Sequence, residues 1–367
     1  MFLGGCDVRL CFRSLRQFKA SQSAYFKIQR VHVRSFTKGS TGSGGSTGTG
    51  GFESSYRGSK CDYNIAVSYL PKDRFQENED GELLQMLKDK LMEQKAKGLT
   101  SPTGEDNYVC SLGRESIAVG VADGVGGWSE LGHDSSEISR VLCRTIESFH
   151  RENEKMEPQQ LIDSAFSYIK ENEIVKVGGT TICLGILDWH GAANVANLGD
   201  SWFGVFRQMT PGYNFECVHQ SLEQQHFFNA PFQLALIPNK ILEDGKSRNA
   251  KYIVDSPDDA ELYHCQLEHG DIILFATDGI TDNVSVDDLS LFLTDKVAEF
   301  RKGATKSTAV DSKTLLAIGM ELTSKVNKLS LDETYPSVFA QRLSHLTRMR
   351  YMGGKYDDIT CVLVYVD

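Results

Sequence analysis

Runs of apolar residues, each about the length of a β-strand, recur between residues 117 and 366. Short apolar runs bounded by glycine, aspartate or serine are typical of buried strands. The predicted strands are Ile117 to Ala122, Thr181 to Leu187, Ala193 to Leu198, Trp202 to Phe206, Ile272 to Ala276 and Thr360 to Val366. Alternating apolar residues from Tyr63 to Tyr69 mark the start of the folded part, which we place close to Ser59.

Apolar residues at helical spacing lie between these runs. One stripe predicts a helix from Ile138 to Phe149 with Asp134 and Ser135 as caps, and a second predicts a helix from Leu161 to Ile169. Leu84, Leu87 and Leu91 suggest a third helix, and residues 311 to 329 a late one. Strands and helices occur in groups, so we expect sheet layers covered by helices and not a regular βαβ alternation.

The N-terminal region differs from the rest of the chain. Residues 1 to 38 contain eight Lys or Arg and one acid, Asp7, among scattered apolar residues, a profile typical of a mitochondrial import sequence. The alternative is a basic disordered or surface-binding tail. Residues 39 to 51 are only Gly, Ser and Thr. We therefore predict a presequence over 1–38, a flexible linker over 39–58 and one folded domain over 59–367.

Composition excludes several classes of protein. The net charge of -10 argues against nucleic acid as the main partner, because phosphate backbones are bound by Lys and Arg. Nine cysteines without a C-x-x-C pair argue against a zinc site and a disulfide framework. No uninterrupted apolar run reaches the roughly 18 residues of a membrane span, so none is expected.

Acids beside glycines form the candidate functional motif. Several follow apolar runs, so the fold could gather them at one rim; they are Glu105-Asp106, Asp123-Gly124, Gly199-Asp200, Asp278-Gly279, Asp282 and Asp357-Asp358. Oxygen-only ligand sets favour Mg²⁺ or Mn²⁺. A carboxylate such as Asp123 at a strand end can bridge two ions, whose shared water then attacks phosphorus. For any single Asp-Gly pair a plain turn is the commoner explanation.

The order of these motifs resembles that of the metal-dependent type 2C serine/threonine protein phosphatases across roughly residues 60 to 367. The matching segments are Gly178-Gly179-Thr180-Thr181, Ala196 to Ser201, and Ala276 to Gly279. With its import-like N-terminus, the chain is similar to the mitochondrial Ptc7-type branch. The resemblance implies an α+β fold, a four-layer αββα sandwich of two mostly antiparallel sheets flanked by helices. It also implies phosphoprotein substrates, matrix metabolic enzymes among them, with coenzyme Q biosynthesis as a specific hypothesis.

The resemblance also implies roles for individual residues. Asp123 would bridge two Mg²⁺ or Mn²⁺ ions, and Asp106 would orient a metal-bound water molecule. The further metal ligands would be Glu105 and the Gly124 carbonyl for one ion, Asp278 and Asp357 for the other, and Asp200 and Asp282 for a third, weaker position. Asp200 could instead have a purely structural role, because Gly-Asp-Ser can form an Asx turn between two strands.

Two positions depart from the family pattern. A phosphate-binding Arg is usual four residues before the acid that matches Asp106, but Ser101 and Pro102 stand there. A general-acid His usually follows the Asp-Gly pair, where this chain has Val125, a residue that cannot transfer a proton. His133 is a weak substitute, since it adjoins a predicted helix start. A pseudophosphatase that binds phosphoproteins, or a small-metabolite phosphatase, are the alternatives.

Overall fold

Two five-stranded antiparallel sheets form the centre of the structure. It is a computed structural model that describes residues 61–72, 102–209, 214–247, 252–303 and 310–367. In spatial order, the first sheet consists of β1 (Tyr63–Leu70), β14 (Ile359–Val366), β13 (Ile272–Ala276), β7 (Trp202–Met209) and β8 (Asn214–Gln220). Each neighbouring pair in this sheet is antiparallel.

The second sheet carries the first predicted acids. In spatial order it consists of β12 (Glu261–Gln266), β6 (Ala192–Leu198), β5 (Ile182–Asp188), β3 (Ser116–Asp123) and β2 (Asp106–Leu112), again with antiparallel neighbours. Two short pairs lie outside the large sheets: β4 (Gly178–Thr180) with β11 (Leu234–Leu236), and β9 (Gln225–Phe227) with β10 (Ala230–Pro231).

The helices cover the outer faces of the two sheets. The helices are α1 (Gly127–Glu130), α2 (Ser135–Glu152), α3 (Pro158–Glu171), α4 (Asn239–Ser247), α5 (Asp278–Thr281), α6 (Val286–Gly303), α7 (Ser312–Ser330) and α8 (Val338–Thr347), with a 3₁₀ turn at Pro257–Asp259. The apolar faces of α2 and α3 form one core with the second sheet, and those of α6 and α7 form another with the first sheet. Burial of these faces is the main force that holds the layers together.

The two sheets pack against each other through close contacts. A Cβ atom at Gly185 of β5 would lie 2.6 Å from the Phe275 ring of β13, so the sheets approach closely there. Phe275 also stacks on Phe203 of β7, with ring centroids 6.0 Å apart. The described residues therefore form a four-layer αββα sandwich, which confirms the expected fold class.

Most predicted elements are present. The predicted strands form with ends shifted by up to three residues, and the late helix is α7, with Asp311 as its N-cap. Asp134 caps α2 by accepting a hydrogen bond from the Ser136 N–H at 3.0 Å. The helix predicted at Leu84 to Leu91, the presequence and the linker lie outside the described residues. No described helix combines the length and apolarity needed to cross a membrane.

Candidate metal centre

The β2–β3 hairpin brings the first predicted acids together. Asp106 begins β2 and Asp123 ends β3, and the antiparallel register places them directly opposite each other. The Gly124 N–H donates to the Glu105 carbonyl oxygen at 3.1 Å, which holds Glu105 beside this pair. A Cβ atom at Gly124 would lie 2.1 Å from the Ser135 carbonyl oxygen, so glycine is required by close packing. Strand pairing therefore gathers these predicted residues at one sheet end.

The remaining acids come from the pairing of β13 with β14. Asp278 is the first residue of α5 and Asp282 follows one helical turn later, so both lie on one side of the helix. Asp357 comes two residues before β14, which lies beside β13 in the sheet. A Cβ atom at Gly279 would lie 1.9 Å from the Asp358 carbonyl oxygen, so glycine permits this close approach. We call the predicted acids, together with Asp358, the acid cluster.

Lys72 enters the acid cluster from the end of β1. Its Nζ atom lies 2.8 Å from Glu105 Oε2 and 2.7 Å from Asp357 Oδ1, and its side chain is 25% exposed. Burial disfavours the charged ammonium, but the carboxylates of Asp357 and Glu105 outweigh that effect and raise the pKa of Lys72 above its usual value. Lys72 therefore remains a cation enclosed by carboxylate oxygens.

Lys355 lies on the other side of Asp357. Its Nζ atom forms an ion pair with Asp278 Oδ2 and lies 2.6 Å from Asp282 Oδ2 and 3.6 Å from Asp357 Oδ2. Burial opposes its charge, but these acids raise the pKa of Lys355 well above its usual value. Burial raises the pKa of Asp282 to about 6, against the opposing effect of Lys355. Asp357 thus joins two enclosed cation positions.

Burial and mutual repulsion change the pKa values of the carboxyl groups in the acid cluster. Burial first, and then the charges of neighbouring acids, raise the pKa values of Asp106, Asp123 and Asp200 well above their usual range. Burial also acts on Asp357, but the ammonium groups of Lys72 and Lys355 outweigh it and lower the pKa of Asp357. Buried like charges are stable only with nearby cations. The cluster therefore favours positively charged ligands.

Glu105 is held by neutral donors as well as by Lys72. Its Oε1 atom accepts hydrogen bonds from the hydroxyls of Ser129, at 2.9 Å, and Ser135. Its backbone N–H donates to Asp358 Oδ2 at 2.8 Å. Gly104 has a φ of +78°, and a Cβ atom there would lie 2.1 Å from Asp358 Oδ1. Asp358 therefore orders the backbone around Glu105.

The donor set fits hard divalent cations. Glu105, Asp357 and Asp358 each offer an oxygen within 4.8 Å of the others. Asp278 Oδ1 is buried and has no hydrogen-bond partner among the described residues. Asp106 Oδ2 accepts a hydrogen bond from Thr277 Oγ1 at 2.8 Å, which fixes its orientation. Buried carboxylate oxygens without nitrogen or sulfur ligands are the set that Mg²⁺ and Mn²⁺ prefer.

Asp200 lies in the turn between β6 and β7 and is 5% exposed. The charges of Asp278 and Asp282 contribute to its raised pKa, so the turn faces the same acids. Its Oδ2 atom lies 3.5 Å from Gln225 Nε2. Arg342 Nη1 lies 3.9 Å from Asp282 Oδ1. Asp200 and Asp282, the residues predicted for a third position, thus contact residues of β9 and α8.

Comparison with known proteins identifies the family. No protein-family model matches the sequence. The chain is 40% identical to "Protein phosphatase 2C homolog 7, mitochondrial" of Saccharomyces cerevisiae, over 99% of this chain and 95% of that protein. It belongs to the type 2C protein phosphatases. It is also 34% identical to "Protein phosphatase PTC7 homolog" of Homo sapiens, over 72% of this chain and 79% of that protein.

A solved structure shares the fold of this phosphatase. The X-ray structure of the photosystem II phosphatase PBCP has a TM-score of 0.59 and 20% sequence identity, with 83% of this chain and 99% of that chain covered. Type 2C phosphatases depend on metal ions, and the acid cluster is the candidate site for them in this phosphatase.

The two departures from the family pattern remain in the structure. The Val125 N–H donates to the Gly179 carbonyl oxygen at 2.8 Å, and the apolar Val125 side chain has no proton to transfer. The His133 N–H donates to the Trp128 carbonyl oxygen at 3.0 Å, and its ring lies edge-on to Trp128 with centroids 6.4 Å apart. Both of these contacts of His133 are with Trp128 of α1, in the segment that precedes α2. Pro102 offers no cation in place of the usual Arg.

Sequence reasoning missed the basic residues of this site. Lys72, Lys355 and Arg342 all contact the acid cluster, but none belongs to an acid-glycine motif. Lys355 stands two residues before Asp357, and this proximity to a predicted ligand is a signal in the sequence. Lys72 and Arg342 have no such signal, because the fold brings them in from distant segments.

Proposed function

We propose that this phosphatase hydrolyses phosphoserine and phosphothreonine in proteins with two Mg²⁺ or Mn²⁺ ions held by the acid cluster. The observation that carries the proposal is the enclosure of two ammonium groups, Lys72 and Lys355, by carboxylate oxygens on either side of Asp357. A site that surrounds two neighbouring cations with oxygen atoms has the charge and ligand chemistry for two divalent ions.

The residues divide between the ions according to their positions in the fold. We assign Glu105, Asp123 and the Gly124 carbonyl oxygen to one ion, Asp123, Asp278 and Asp357 to the other, and Asp200 and Asp282 to a third, weaker position. The hairpin register supports the first group, and the β13–β14 pairing supports the second.

The reaction is a direct attack of water on phosphorus. When bound, the two ions supply an activated water and neutralise charge on the phosphoryl group. Asp106 lies opposite Asp123 and orients the attacking water, while the Thr277 hydroxyl holds the Asp106 carboxylate in place. No residue of the chain becomes phosphorylated in this scheme. Because Val125 has no proton to donate, the leaving Ser or Thr oxygen takes its proton from water.

The first test is phosphate release from a phosphothreonine peptide with EDTA, Mg²⁺ or Mn²⁺. Asp123→Asn should abolish release under every condition, whereas Asp163→Asn, an exposed position on α3, is the matched control and should retain it. Metal-independent release, or full activity of Asp123→Asn, would contradict the proposal. Absence of turnover in the wild type with either metal would favour the pseudophosphatase, and a strong preference for sugar phosphates would favour the small-metabolite enzyme.

We further propose that the protein acts in the mitochondrial matrix on metabolic enzymes, including those of coenzyme Q biosynthesis. The name of the Saccharomyces cerevisiae relative places that protein in mitochondria, and residues 1 to 38 have the composition of an import sequence. Fusion of residues 1 to 58 to a fluorescent protein should direct it to the matrix. Retention of the fusion in the cytosol would argue for the alternative of a basic tail.

A further inference from the structure

One surface beside the acid cluster combines exposed apolar and basic side chains. It is formed by the last turns of α8 and the residues that follow, and we call it the α8 rim: Arg342, His345, Leu346, Arg348, Met349, Arg350 and Met352. Leu346 is 62% exposed, Met349 57% and Met352 39%. Arg and Met are enriched in the centres of protein interfaces, and exposed apolar patches with polar edges mark interaction sites.

The α8 rim borders a groove of about 450 Å³. The opposite wall comes from the β9–β10 hairpin, where Phe227 is 60% exposed. Phe228 supports this wall by packing on Phe339 of α8, with ring centroids 4.9 Å apart. The groove is thus a shallow, mostly apolar surface between a hairpin and a helix, open enough to accept a peptide segment.

The groove is continuous with the proposed phosphatase site. Arg342 lines the groove and its Nη1 atom lies 3.9 Å from Asp282 Oδ1. Gln225 lines the other side and its Nε2 atom lies 3.5 Å from Asp200 Oδ2. A peptide with its phosphorylated residue at the acid cluster would therefore place neighbouring residues in this groove.

The charge of the α8 rim is opposite to that of the molecule. The chain has a net charge of -10, yet no acid occurs between Glu333 and Asp357. Arg342 is paired with Glu223, by Nη2 to Oε1 at 2.9 Å. Within the described part of the chain, Arg348 and Arg350 form no ion pair. These two guanidinium groups are therefore available to an acidic partner.

Hydrogen bonds order the segment that carries the two arginines. The Tyr351 N–H donates to Ser344 Oγ of α8 at 2.8 Å, and the Gly353 N–H donates to the Tyr335 carbonyl oxygen at 2.7 Å. The segment then leads directly to Lys355 in the acid cluster. An ordered surface loses less conformational entropy when a partner binds.

We propose that the groove and the α8 rim bind an acidic and apolar segment of the substrate protein beside its phosphorylated Ser or Thr. An apolar side chain enters the groove between Phe227 and Leu346, and acidic side chains pair with Arg348 and Arg350. The proposal rests on the proposed protein phosphatase function and adds a substrate preference to it.

The test compares two phosphothreonine peptides, one flanked on both sides by Glu and Leu and the other by Ser and Gly. Wild type should show a lower KM for the Glu/Leu peptide. Arg348→Glu/Arg350→Glu and Leu346→Ser/Met349→Ser should each raise that KM about three- to tenfold and leave kcat unchanged. Turnover of p-nitrophenyl phosphate, which is too small to reach the groove, should not change.

A matched control and a binding assay separate docking from catalysis. Lys170→Glu/Lys176→Glu makes the same change in net charge at exposed positions on and after α3, and should behave as wild type. Fluorescence anisotropy with an unphosphorylated Glu/Leu peptide should show weaker binding to the Arg348→Glu/Arg350→Glu variant, with a difference that decreases at high salt. This assay needs no turnover, so it reports docking even if the proposed function fails.

Three outcomes would overturn the docking proposal. The first is equal KM for the two peptides in wild type. The second is the same rise in KM in the Lys170→Glu/Lys176→Glu control. The third is binding of the α8 rim to vesicles of anionic lipid with no preference between the peptides, which would assign this surface to a membrane. Failure of all substrates, p-nitrophenyl phosphate included, would instead contradict the phosphatase function.

Discussion

The two cation positions of the acid cluster differ in how their carboxylates are held. At the Lys72 position, Glu105 also accepts hydrogen bonds from Ser129 and Ser135, and the Lys72 side chain is 25% exposed. At the Lys355 position the lysine is 16% exposed. There Asp278 Oδ1 is buried without a hydrogen-bond partner among the described residues. Neutral hydroxyl donors therefore help to hold the carboxylate at the Lys72 position, whereas the carboxylates at the Lys355 position depend on the positive charge of the lysine.

This comparison predicts unequal effects of removing the two lysines. Without metal, Lys355→Met should lower the free energy of unfolding by about 3–5 kcal/mol, because it leaves buried carboxylates without their cation. Lys72→Met should cost less, about 1–2 kcal/mol, since hydroxyl donors still hold Glu105. Urea denaturation in EDTA measures both values.

Saturating Mg²⁺ should reduce the loss in Lys355→Met, because the ion replaces the missing positive charge. Lys296→Met is the control, because the partners of this α6 lysine, Glu299 and Glu321, are 72% and 45% exposed. Ion pairs with exposed acids contribute little, so this variant should lose less stability than either cluster variant. Equal losses in the two cluster variants would show that the positions do not differ as described.

The pH dependence of stability should also report on the Lys355 position. Burial raises the pKa of Asp282 from 3.8 to about 6, so the folded protein holds more protons than the unfolded chain between these values. Stability without metal should therefore fall as the pH rises through this window, by about 1–3 kcal/mol from this group. The raised pKa values of Asp106, Asp123 and Asp200 act in the same direction.

Thermal denaturation in EDTA at a series of pH values measures this fall. Asp282→Asn should make it smaller, and Mg²⁺ should remove most of it because a bound cation favours the ionised acids. Asp357 acts oppositely, since Lys72 and Lys355 lower its pKa despite burial; its contribution is present at neutral pH and is lost only below the window. A stability that rises with pH in EDTA would contradict the description of the Lys355 position.

The smallest effect is expected from the hydroxyl donors of the Lys72 position. Ser129→Ala removes the 2.9 Å hydrogen bond to Glu105 Oε1 and should cost about 1 kcal/mol of stability in EDTA. Mg²⁺ affinity, measured by isothermal titration calorimetry, should fall severalfold. Ser285→Ala, at the start of α6, is a control for loss of a serine hydroxyl bond to an acid outside the cluster, and should leave Mg²⁺ affinity unchanged.

Prediction from sequence succeeded where the signal was local. Apolar runs identified β3, which ends at Asp123, and β13, which ends two residues before Asp278. Helical stripes identified α2 and α3. The short pairs β4–β11 and β9–β10 were missed, because two- or three-residue strands have no reliable pattern. No strand or helix was predicted between Phe206 and Ile272, yet β8, α4 and β12 form there.

The acids, the glycines beside them and the strands that carry them can all be recognised from the amino-acid order alone. Which charged side chains meet at each cation position depends on how the sheets pack. Lys72 and Asp357 are 285 residues apart in sequence, yet the pairing of β1 with β14 brings Nζ and Oδ1 to 2.7 Å. Secondary structure follows from neighbouring residues, whereas the balance of buried charges depends on which distant segments the packed sheets bring together.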